Sequence, residues 1–500
     1  MVEVNGLNIA ATVSCLVVRE LDNHDDTIIK LSTFCQPSNR EKQPATSDLT
    51  ANMENIDRSH HPFTVIVAGA GIGGLSSAIA LARRGLKVTV LEGKPELNEF
   101  GASISIDPHA VRILKSFGLE TLFCRCIAQD EFNEIRDGAS NKLLGRLMAN
   151  HANTSDILFG EQKWSIHRAD YQQVLAEAAQ QLGTKILFNA EVVNVDIDVR
   201  TVHLSDGRAL SADLIVGADG LRSAVRASIR EIAGIDLVPW NEQAYRCSVD
   251  KNKIKDNPNL AWLLDNNTAQ VWSMPGKYVL GWPLPPNKSY DVVACVLRDC
   301  DVPLGHWGVK ADPNSFRGDF EDACLEVREL LASIGPCVQW RLAELPPLST
   351  CRSVDGSVVL LGDAWHAMLP HSGSGGSSAI EDGAVLGECV AWASESNRPL
   401  SDATKAYEHL RKTRVERMQR ASHEGVGFLS ASGDFRTLRD GLLAQQMEAD
   451  NVEFAKSEEV RRAQPLPAAD MNAPFPSPPY LQWLYGYDGI GEARKYLAGL

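Results

Sequence analysis

The sequence has no excess of positive charge, no long apolar run and no C-x-x-C cysteine pair. Its 500 residues carry a formal net charge of −15, which argues against nucleic acid or an anionic membrane as the main partner. No apolar run approaches the roughly 20 residues of a transmembrane helix. The 11 cysteines are scattered, so we expect reduced thiols, a cytoplasmic location and no metal site.

The first 62 residues show little sign of a folded domain. Residues 7–18 are apolar enough for a signal sequence, but Glu3 stands where a basic residue is expected and Asn8 interrupts the run. The segment before residue 62 is rich in polar residues and is broken by Pro37 and Pro44. We therefore predict that residues 1–62 form a poorly ordered extension.

The most informative stretch begins at Thr64, where an apolar run is followed by a glycine-rich turn and an apolar helix pattern. The run is typical of a parallel strand that is buried on both faces. The turn has the G-x-G-x-x-G spacing at Gly69, Gly71 and Gly74. In this motif the first glycine permits the tight turn, the second lets a pyrophosphate approach the helix N-terminus, and the third lets helix and strand pack closely.

A second apolar strand, at 87–91, ends in Glu92. A carboxylate at that position can accept both hydrogen bonds of an adenosine ribose diol, and it would repel a 2′-phosphate. The unit of strand, helix, strand and acidic end therefore predicts a dinucleotide site that takes NAD or FAD rather than NADP.

Three later segments are expected to reach the same site. Small residues at 101–103 suit backbone that passes close to a ligand. Arg168 precedes a helix for which Asp170 is the expected N-cap, and Arg168 is either a surface ion pair or a cofactor contact. A buried strand at 213–217 leads to Asp219, which should lie near the cofactor because ligands collect at the carboxyl ends of parallel strands.

From about residue 245 to 345 the pattern changes to short strands separated by turn residues. Within it, Tyr278, Leu280, Trp282 and Leu284 alternate with period two, which defines one face of an antiparallel sheet. Two interpretations of this face stay open: it is simply core, or it is the apolar wall of a substrate pocket.

The first sheet resumes at 357–363, where a buried strand ends in Gly-Asp and a glycine-rich turn precedes a helix from about Ala379. The predicted fold class is α/β: a Rossmann-like domain with a parallel sheet, built from two segments, plus an inserted antiparallel β-sheet substrate domain (α+β). The predicted boundaries are 63–240 and 346–430 for the first domain, 241–345 for the inserted sheet, and 431–500 for a helical packing tail.

The second glycine turn favours a flavin. A helix preceded by Gly373, Gly375 and Gly376 offers backbone amides to the negative charge of a reduced flavin, and Asp363 is placed to reach the ribityl hydroxyls. FAD is long enough to use both turns, whereas NAD would leave the second turn without a role.

Three other polar features receive structural interpretations. His366 and His371 are tempting bases, but we predict that they are hydrogen-bonded scaffold. The basic segment 411–420 is predicted to be the solvated face of a helix.

Four motifs in order resemble those of the salicylate-hydroxylase-like group of single-component FAD-dependent aromatic hydroxylases. The resemblance spans about residues 63–430, and the motifs are Gly69 to Gly74 with Glu92, His167-Arg168-Ala169-Asp170, Gly217 to Gly220, and Gly362 to Pro370. It implies FAD contacts from Glu92, Ala102, Arg168, Asp363 and Gly376, and a role for Asp219 in holding pyrophosphate and admitting NAD(P)H. By similarity to related fungal enzymes, Arg246 and Tyr278 are the implied anchors of a phenolate.

The activity implied by the resemblance is hydroxylation of a phenolic or salicylate-type small molecule, with NADH or NADPH and O2, through a C4a-hydroperoxyflavin. No second G-x-G-x-x-G is present for a separate nicotinamide domain, which fits transient NAD(P)H binding over the flavin. Trp365, His109 and the Ser-Gly-Ser-Gly-Gly turn depart from the family pattern, so substrate identity stays open.

Two alternatives are retained. One is a flavoprotein of the same architecture that carries out epoxidation, reduction, dehydrogenation or halogenation, although the W-x-W-x-I-P signature of halogenases is absent. The other is a dinucleotide-binding protein without turnover. Monomer and homodimer are both compatible with the sequence.

Overall fold

A computed structural model describes residues 63–97, 103–128, 133–147, 152–265, 267–283, 289–300, 302–304, 309–335 and 337–500. The predicted extension 1–62, the predicted flavin contact Ala102 and the alternating residue Leu284 lie outside these ranges. Among the described residues, no helix combines the length and the apolar character needed to cross a bilayer.

The first half of the chain alternates strands with helices before a run of short strands. Its elements are β1 (Thr64–Ala68), α1 (Ile72–Arg83), β2 (Lys87–Leu91), β3 (Ser103–Ile106), α2 (Pro108–Ser116), α3 (Glu120–Phe123), β4 (Ile127–Ala128), β5 (Asn133–Asp137), β6 (Leu143–Leu147), α4 (Ala152–Phe159), β7 (Trp164–His167), α5 (Arg168–Gln181), β8 (Lys185–Leu187), β9 (Val192–Asp196), β10 (Thr201–Leu204), β11 (Ala209–Ser211), β12 (Leu214–Gly217) and α6 (Ala224–Ser228).

The second half is first mainly β and then helical. Its elements are β13 (Val238–Asp250), α7 (Lys251–Lys255), β14 (Ala269–Met274), β15 (Lys277–Pro283), β16 (Ser289–Val296), β17 (Val309–Ala311), α8 (Asn314–Arg317), α9 (Leu325–Ala332), β18 (Cys337–Glu344), β19 (Val358–Leu360), α10 (Asp363–His366), α11 (Gly375–Glu395), α12 (Leu400–Leu429), α13 (Gly433–Phe454), α14 (Glu458–Arg462), α15 (Pro478–Tyr485) and α16 (Gly489–Ala498).

A five-stranded sheet forms the centre of the Rossmann-like part, in the order β19-β12-β1-β2-β8. Every neighbouring pair is parallel, with Val65 opposite both Leu214 and Val88. The central strands are runs of Val, Ile and Leu, and they are buried because α1, α5 and α11 share their hydrophobic core. The predicted α/β class, with a parallel sheet assembled from two separated segments, is confirmed.

An eight-stranded sheet carries the inserted part, in the order β17-β18-β13-β16-β15-β14-β5-β6. Its pairs are antiparallel except for β14 with β5, which are parallel. Strands β5 and β6 lie earlier in the chain than the predicted range 241–345, so the sheet is wider than the sequence pattern indicated. One face packs Tyr245, Trp272 and Tyr290 against the buried Phe316 and Phe320.

Two helices begin earlier than predicted. Helix α5 starts at Arg168 with the extended residue His167 as its N-cap, so the expectation that Asp170 caps it is wrong, and Asp170 lies in the first turn. Helix α11 starts at Gly375 rather than near Ala379, which places its glycines inside the first turn. Both shifts bring free helix N–H groups closer to the ends of the neighbouring strands.

The prediction that the basic segment 411–420 of α12 is a solvated face is wrong for three of its arginines. Arg411 is fully buried and binds Glu381 and Asp382 on α11. Arg414 also binds Glu381 and donates to the carbonyl oxygens of Trp483 and Leu484. Arg417 donates to the carbonyl oxygens of Met471 and Ala473. The C-terminal segment thus supplies acceptors for cations that the sequence pattern assigned to solvent.

The stability of the fold should decrease in acid because of His109. Its side chain is buried, with Nε2 3.5 Å from Oε2 of Glu381. Burial, opposed by Glu381 and supported by Arg414, lowers the pKa of His109 from 6.5 to about 4. Between these values the unfolded chain binds a proton that the folded chain does not, so the unfolding free energy should fall by about 3 kcal/mol from pH 6.5 to pH 4.

The measurement is urea unfolding across that pH range for the wild type and for His109→Asn. The variant should lack this part of the pH slope. The pKa of Asp382 is lowered from 3.8 to about 2, so its contribution to stability is lost only below about pH 4, where the unfolded chain takes up a proton that the folded chain does not. Equal slopes for the two proteins between pH 6.5 and pH 4 would contradict the assignment to His109.

Candidate functional site

The predicted cofactor residues lie at one edge of the parallel sheet. Gly69 follows β1, Glu92 follows β2, Asp219 follows β12, and Asp363 follows β19. Because all pairs are parallel, these positions share the carboxyl edge. Glu92 and Asp363 are separated by β1 and β12, a distance of about 14 Å at the usual strand spacing. One extended ligand can therefore span both carboxylates.

The first glycine turn is closely packed at two positions and open at the third. Gly69 has φ +101°, and a Cβ there would lie 2.4 Å from the Ala218 carbonyl oxygen. A Cβ on Gly74 would lie 2.0 Å from the carbonyl oxygen of Gly69. A Cβ on Gly71, the N-cap of α1, would meet nothing within 4 Å. The backbone at Gly71 is thus accessible to a ligand at the helix N-terminus.

Glu92 is tied to this turn by its own carboxylate. Oε2 accepts a hydrogen bond from the Ala70 N–H at 3.0 Å, and Oε1 accepts one from the Lys94 N–H at 3.0 Å. A carboxylate has about four acceptor positions, so each oxygen retains capacity for one further donor. Two vicinal hydroxyls match that remaining capacity.

Asp219 organises the loop after β12. Its carboxylate accepts hydrogen bonds from the Ser223 hydroxyl at 2.5 Å and from the Val225 N–H at 3.1 Å, close to the start of α6. Burial raises the pKa of Asp219 from its ordinary value, against the effect of these bonds. The side chain is thus already engaged in its own turn, next to the backbone of Gly69.

Asp382, on α11, binds the residues that follow β19. Its Oδ2 accepts the Gly362 N–H at 3.0 Å and lies 2.6 Å from Nε2 of His366, while Arg411 donates to Oδ1 at 2.8 Å. Although burial by itself raises the pKa of Asp382, His366 and Arg411 bring it down to about 2. His366 is hydrogen-bonded scaffold, as predicted, and Asp363 stays exposed beside it.

The N-termini of α1 and α11 meet at this edge. A Cβ on Gly376 would lie 3.0 Å from the Ile104 side chain and 3.7 Å from that of Ile72, the first residue of α1. The first-turn N–H groups of both helices have no acceptor within their helices. Two such positive helix ends, with an open backbone at Gly71, fit a dinucleotide that carries negative charge at its pyrophosphate and at its reduced ring.

The eight-stranded sheet faces this edge through Arg246. Its guanidinium lies 4.9 Å from the centre of the Trp340 ring, and Nη2 donates to the Ser103 carbonyl oxygen at 3.4 Å. Ser103 is paired with His167, directly before Arg168. Arg246 of the eight-stranded sheet and Arg168, the first residue of α5, are therefore brought to the same end of β3.

Tyr278 is placed differently from Arg246. Its side chain is buried, and its hydroxyl donates to Oε1 of Glu242 at 2.7 Å. His371 also contacts Glu242, so His371 is scaffold as predicted. On this face the Tyr278 end is core, whereas Leu280 is half-buried, as is Val293, in register with it and with Arg246. That this part of the face is the wall of a substrate pocket stays a prediction.

Three polar residues at the site were not found from the sequence. Glu242 lies at the start of the predicted range 241–345 but was not singled out, although an acid spaced by an even number from Arg246 was a usable signal. Asp291 is buried near Arg246, which opposes the rise in its pKa that burial causes. Asp382 had no local signal, because its partners come from β19, α10 and α12.

Comparison with known proteins decides the family. Residues 62–422 match the model of the FAD binding domain family. The chain belongs to this family. It is 34% identical over 364 residues to the FAD-dependent monooxygenase ntnJ of Nectria sp, covering 72% of this chain and 84% of that protein. It is 32% identical over 384 residues to 3-hydroxybenzoate 6-hydroxylase of Polaromonas naphthalenivorans (strain CJ2), covering 76% and 91%.

A solved structure of a salicylate hydroxylase substrate complex has the same fold. It superposes with a TM-score of 0.63 at 26% identity and covers 80% of this chain and 97% of that one. The predicted resemblance, the FAD cofactor and the assignment to FAD-dependent monooxygenases of the aromatic hydroxylase type are confirmed. The roles of individual site residues stay predictions.

A matched pair of glycine variants should separate binding from packing in this FAD family member. Gly71→Ala adds a methyl group in open space, so we expect an unchanged melting temperature and FAD affinity reduced by about tenfold or more. Gly74→Ala forces a methyl group against the Gly69 carbonyl and should destabilise the fold by about 1–3 kcal/mol or more. Calorimetry and FAD titration measure the two effects, and wild-type FAD affinity in Gly71→Ala would refute the placement of the pyrophosphate.

Proposed function

We propose that the protein hydroxylates a phenolic or salicylate-type small aromatic, using NADH or NADPH and O2, with FAD lying across the two glycine turns. One observation carries this proposal: β3 joins the two halves of the site. Its Ser103 carbonyl accepts from Arg246 of the substrate sheet, and its Ile104 side chain lies against Gly376 at the start of α11. The implied substrate anchor and the implied flavin-ring contact are thus neighbours.

The residues that would hold FAD follow the carboxyl edge. Gly69, Gly71 and Gly74 would bind the pyrophosphate, and Asp219 would support that turn. Glu92 would bind the ribose, Asp363 the ribityl chain and Gly376 the ring. Arg168 would contact FAD beside β3, and Ala102 is a proposed contact from the sequence alone. Bound FAD would supply the redox chemistry, accepting a hydride from the nicotinamide and activating O2.

Arg246 would hold the substrate as its phenolate. A cation in a half-buried site stabilises an oxyanion more strongly than one in water, and an ionised phenol is the more electron-rich ring. Stacking on Trp340 restricts the guanidinium to one orientation. The hydroxyl of Tyr278 is committed to Glu242, so in this arrangement Tyr278 supports the substrate wall and Arg246 makes the charged contact.

The same wall would exclude water. Leu280 and Val293 are half-buried beside Arg246, and Trp340 covers it from β18. Apolar side chains around the reacting ring lower the local dielectric and keep water away from reactive intermediates, which limits side reactions. These side chains also set the size of substrate that fits.

The test is reconstitution with FAD followed by a screen of hydroxybenzoates and acylated resorcinols. The proposal expects a yellow protein, consumption of NADH or NADPH that rises with a phenol, and a product that contains one added oxygen atom, with or without loss of CO2. A reconstituted protein that oxidises NAD(P)H but never incorporates oxygen would favour another flavoprotein reaction, and a protein that retains no FAD would refute the site.

Arg246→Ala should raise the KM for the phenol by about tenfold or more, because a hydrogen bond to a charged group contributes about 1.5–3 kcal/mol. FAD affinity should stay within about twofold of wild type. Arg208→Ala is the matched control, as Arg208 lies in an exposed hairpin and binds Asp206. Steady-state kinetics with FAD titration measures both effects, and normal turnover by Arg246→Ala would remove Arg246 from the site.

A further inference from the structure

Two buried side chains from separate elements, Tyr278 and His371, meet at Glu242. The hydroxyl of Tyr278 on β15 donates to Oε1 at 2.7 Å. Nε2 of His371, in the turn before α11, lies 2.9 Å from Oε2. The side chains of Glu242 and His371 are 0% and 1% exposed. A carboxylate on the substrate sheet is therefore bonded directly to the second glycine turn.

Glu242 carries its charge in this position. Burial alone would raise its pKa, but His371 and Tyr278 lower the pKa below the ordinary value. Tyr278 keeps its proton, because burial and Glu242 raise its pKa. A buried anion whose partners are aligned is costly to displace, since removing either partner leaves the charge uncompensated. The contact is thus a stiff link between two parts of the molecule.

His371 has little freedom to move away from Glu242. On its other side, a Cβ on Gly425 of α12 would lie 2.9 Å from both Cβ and the carbonyl oxygen of His371, so helix and turn are in close contact. Two residues after His371, Gly373 has φ +70°, and α11 begins at Gly375. The position of His371 therefore sets where the free N–H groups of α11 lie.

The same strand carries the implied substrate anchor. Arg246 is four residues from Glu242 on β13, on the same face, at about 13 Å for an extended strand. One end of the strand is attached to the second glycine turn through His371, and the other to β3 through the Ser103 carbonyl. A shift of either attachment changes the distance from the substrate wall to the start of α11.

We propose that Glu242 is a positioning residue: through His371 it fixes the turn at 370–376 relative to the sheet that carries Arg246. It thereby sets the distance between the flavin ring and the aromatic substrate. This inference rests on the proposed function for the identity of the two reactants. Its consequence is that loss of the link uncouples oxidation of NAD(P)H from oxygen transfer, while FAD and the fold are retained.

The protein offers a matched control of the same chemistry. Glu344 on β18 pairs with His423 on α12, with Nε2 and Oε2 2.6 Å apart. This pair also joins the substrate sheet to a helix, but the His423 side chain is 43% exposed, whereas that of His371 is buried. Helix α12 contacts the second glycine turn at the neighbouring residues Ser422 and Gly425. Glu344→Gln thus removes a Glu–His contact between the sheet and α12 and leaves the contact of Glu242 with His371 in place.

The experiment compares FAD-loaded wild type, Glu242→Gln and Glu344→Gln. Glu242→Gln keeps an acceptor for Tyr278 and loses the charge opposite His371. We expect backbone hydrogen exchange at 370–376 to rise by about tenfold in Glu242→Gln alone. With the best phenol of the screen, product per NAD(P)H should fall by about tenfold, hydrogen peroxide should rise in proportion, and the KM should change by less than about threefold.

A second variant tests whether the effect of Glu242→Gln comes from the lost contact or from misfolding. His371→Gln removes the imidazole and leaves the bond between Tyr278 and Glu242. The double variant should be no worse than either single one, since both break one link. Unchanged exchange and coupling in Glu242→Gln, equal uncoupling in Glu344→Gln, additive losses in the double variant, or loss of FAD in Glu242→Gln would each overturn the proposal. Failure of the wild type itself to hold FAD or form product would instead refute the proposed function.

Discussion

The contact between Gly74 and the carbonyl oxygen of Gly69 is the constraint on which the site depends. No side chain fits there, since even a Cβ would come within 2.0 Å of that oxygen. The contact presses the N-terminus of α1 onto the end of β1 and leaves the neighbouring Gly71 open. Every other strand end is then placed by parallel register, so the position of Glu92 and that of Asp363 follow from the same sheet.

The substrate sheet is attached to this frame at two polar contacts with apolar wall between them. Arg246 reaches the Ser103 carbonyl and Glu242 reaches His371. Hydrogen bonds with charged groups are directional and short-ranged, so they define distance more sharply than apolar packing does. Half-buried Leu280 and Val293 lie in register with Arg246 and take part in neither attachment. In this arrangement the residues that would select the substrate differ from those that fix the distance between the two parts of the site.

Features that depend on neighbouring residues in the chain could be predicted from the sequence. Strands β1, β12 and β19 were recognisable because each is a short run rich in Val, Ile and Leu, with a glycine at its end or within two residues after it. The glycine spacing predicted the turn. Pairing between distant segments carried no such signal: Asn133 opposite Ala269 could not be read from either strand. The prediction that the arginines of α12 face solvent was wrong for the same reason. Helix periodicity does not reveal that the carbonyl oxygens of Trp483 and Leu484 lie opposite Arg414.

The split origin of the central sheet has a consequence for how the chain matures. Strand β12 pairs with β1 on one side and with β19 on the other. During synthesis, β19 leaves the ribosome roughly ten seconds after β12 at ordinary elongation rates. Throughout that interval the apolar edge Leu214–Gly217 has no partner, and an unpaired edge strand invites association with other chains. A lower growth temperature or added chaperones during expression should therefore raise the yield of folded protein. They should change the properties of the finished enzyme much less.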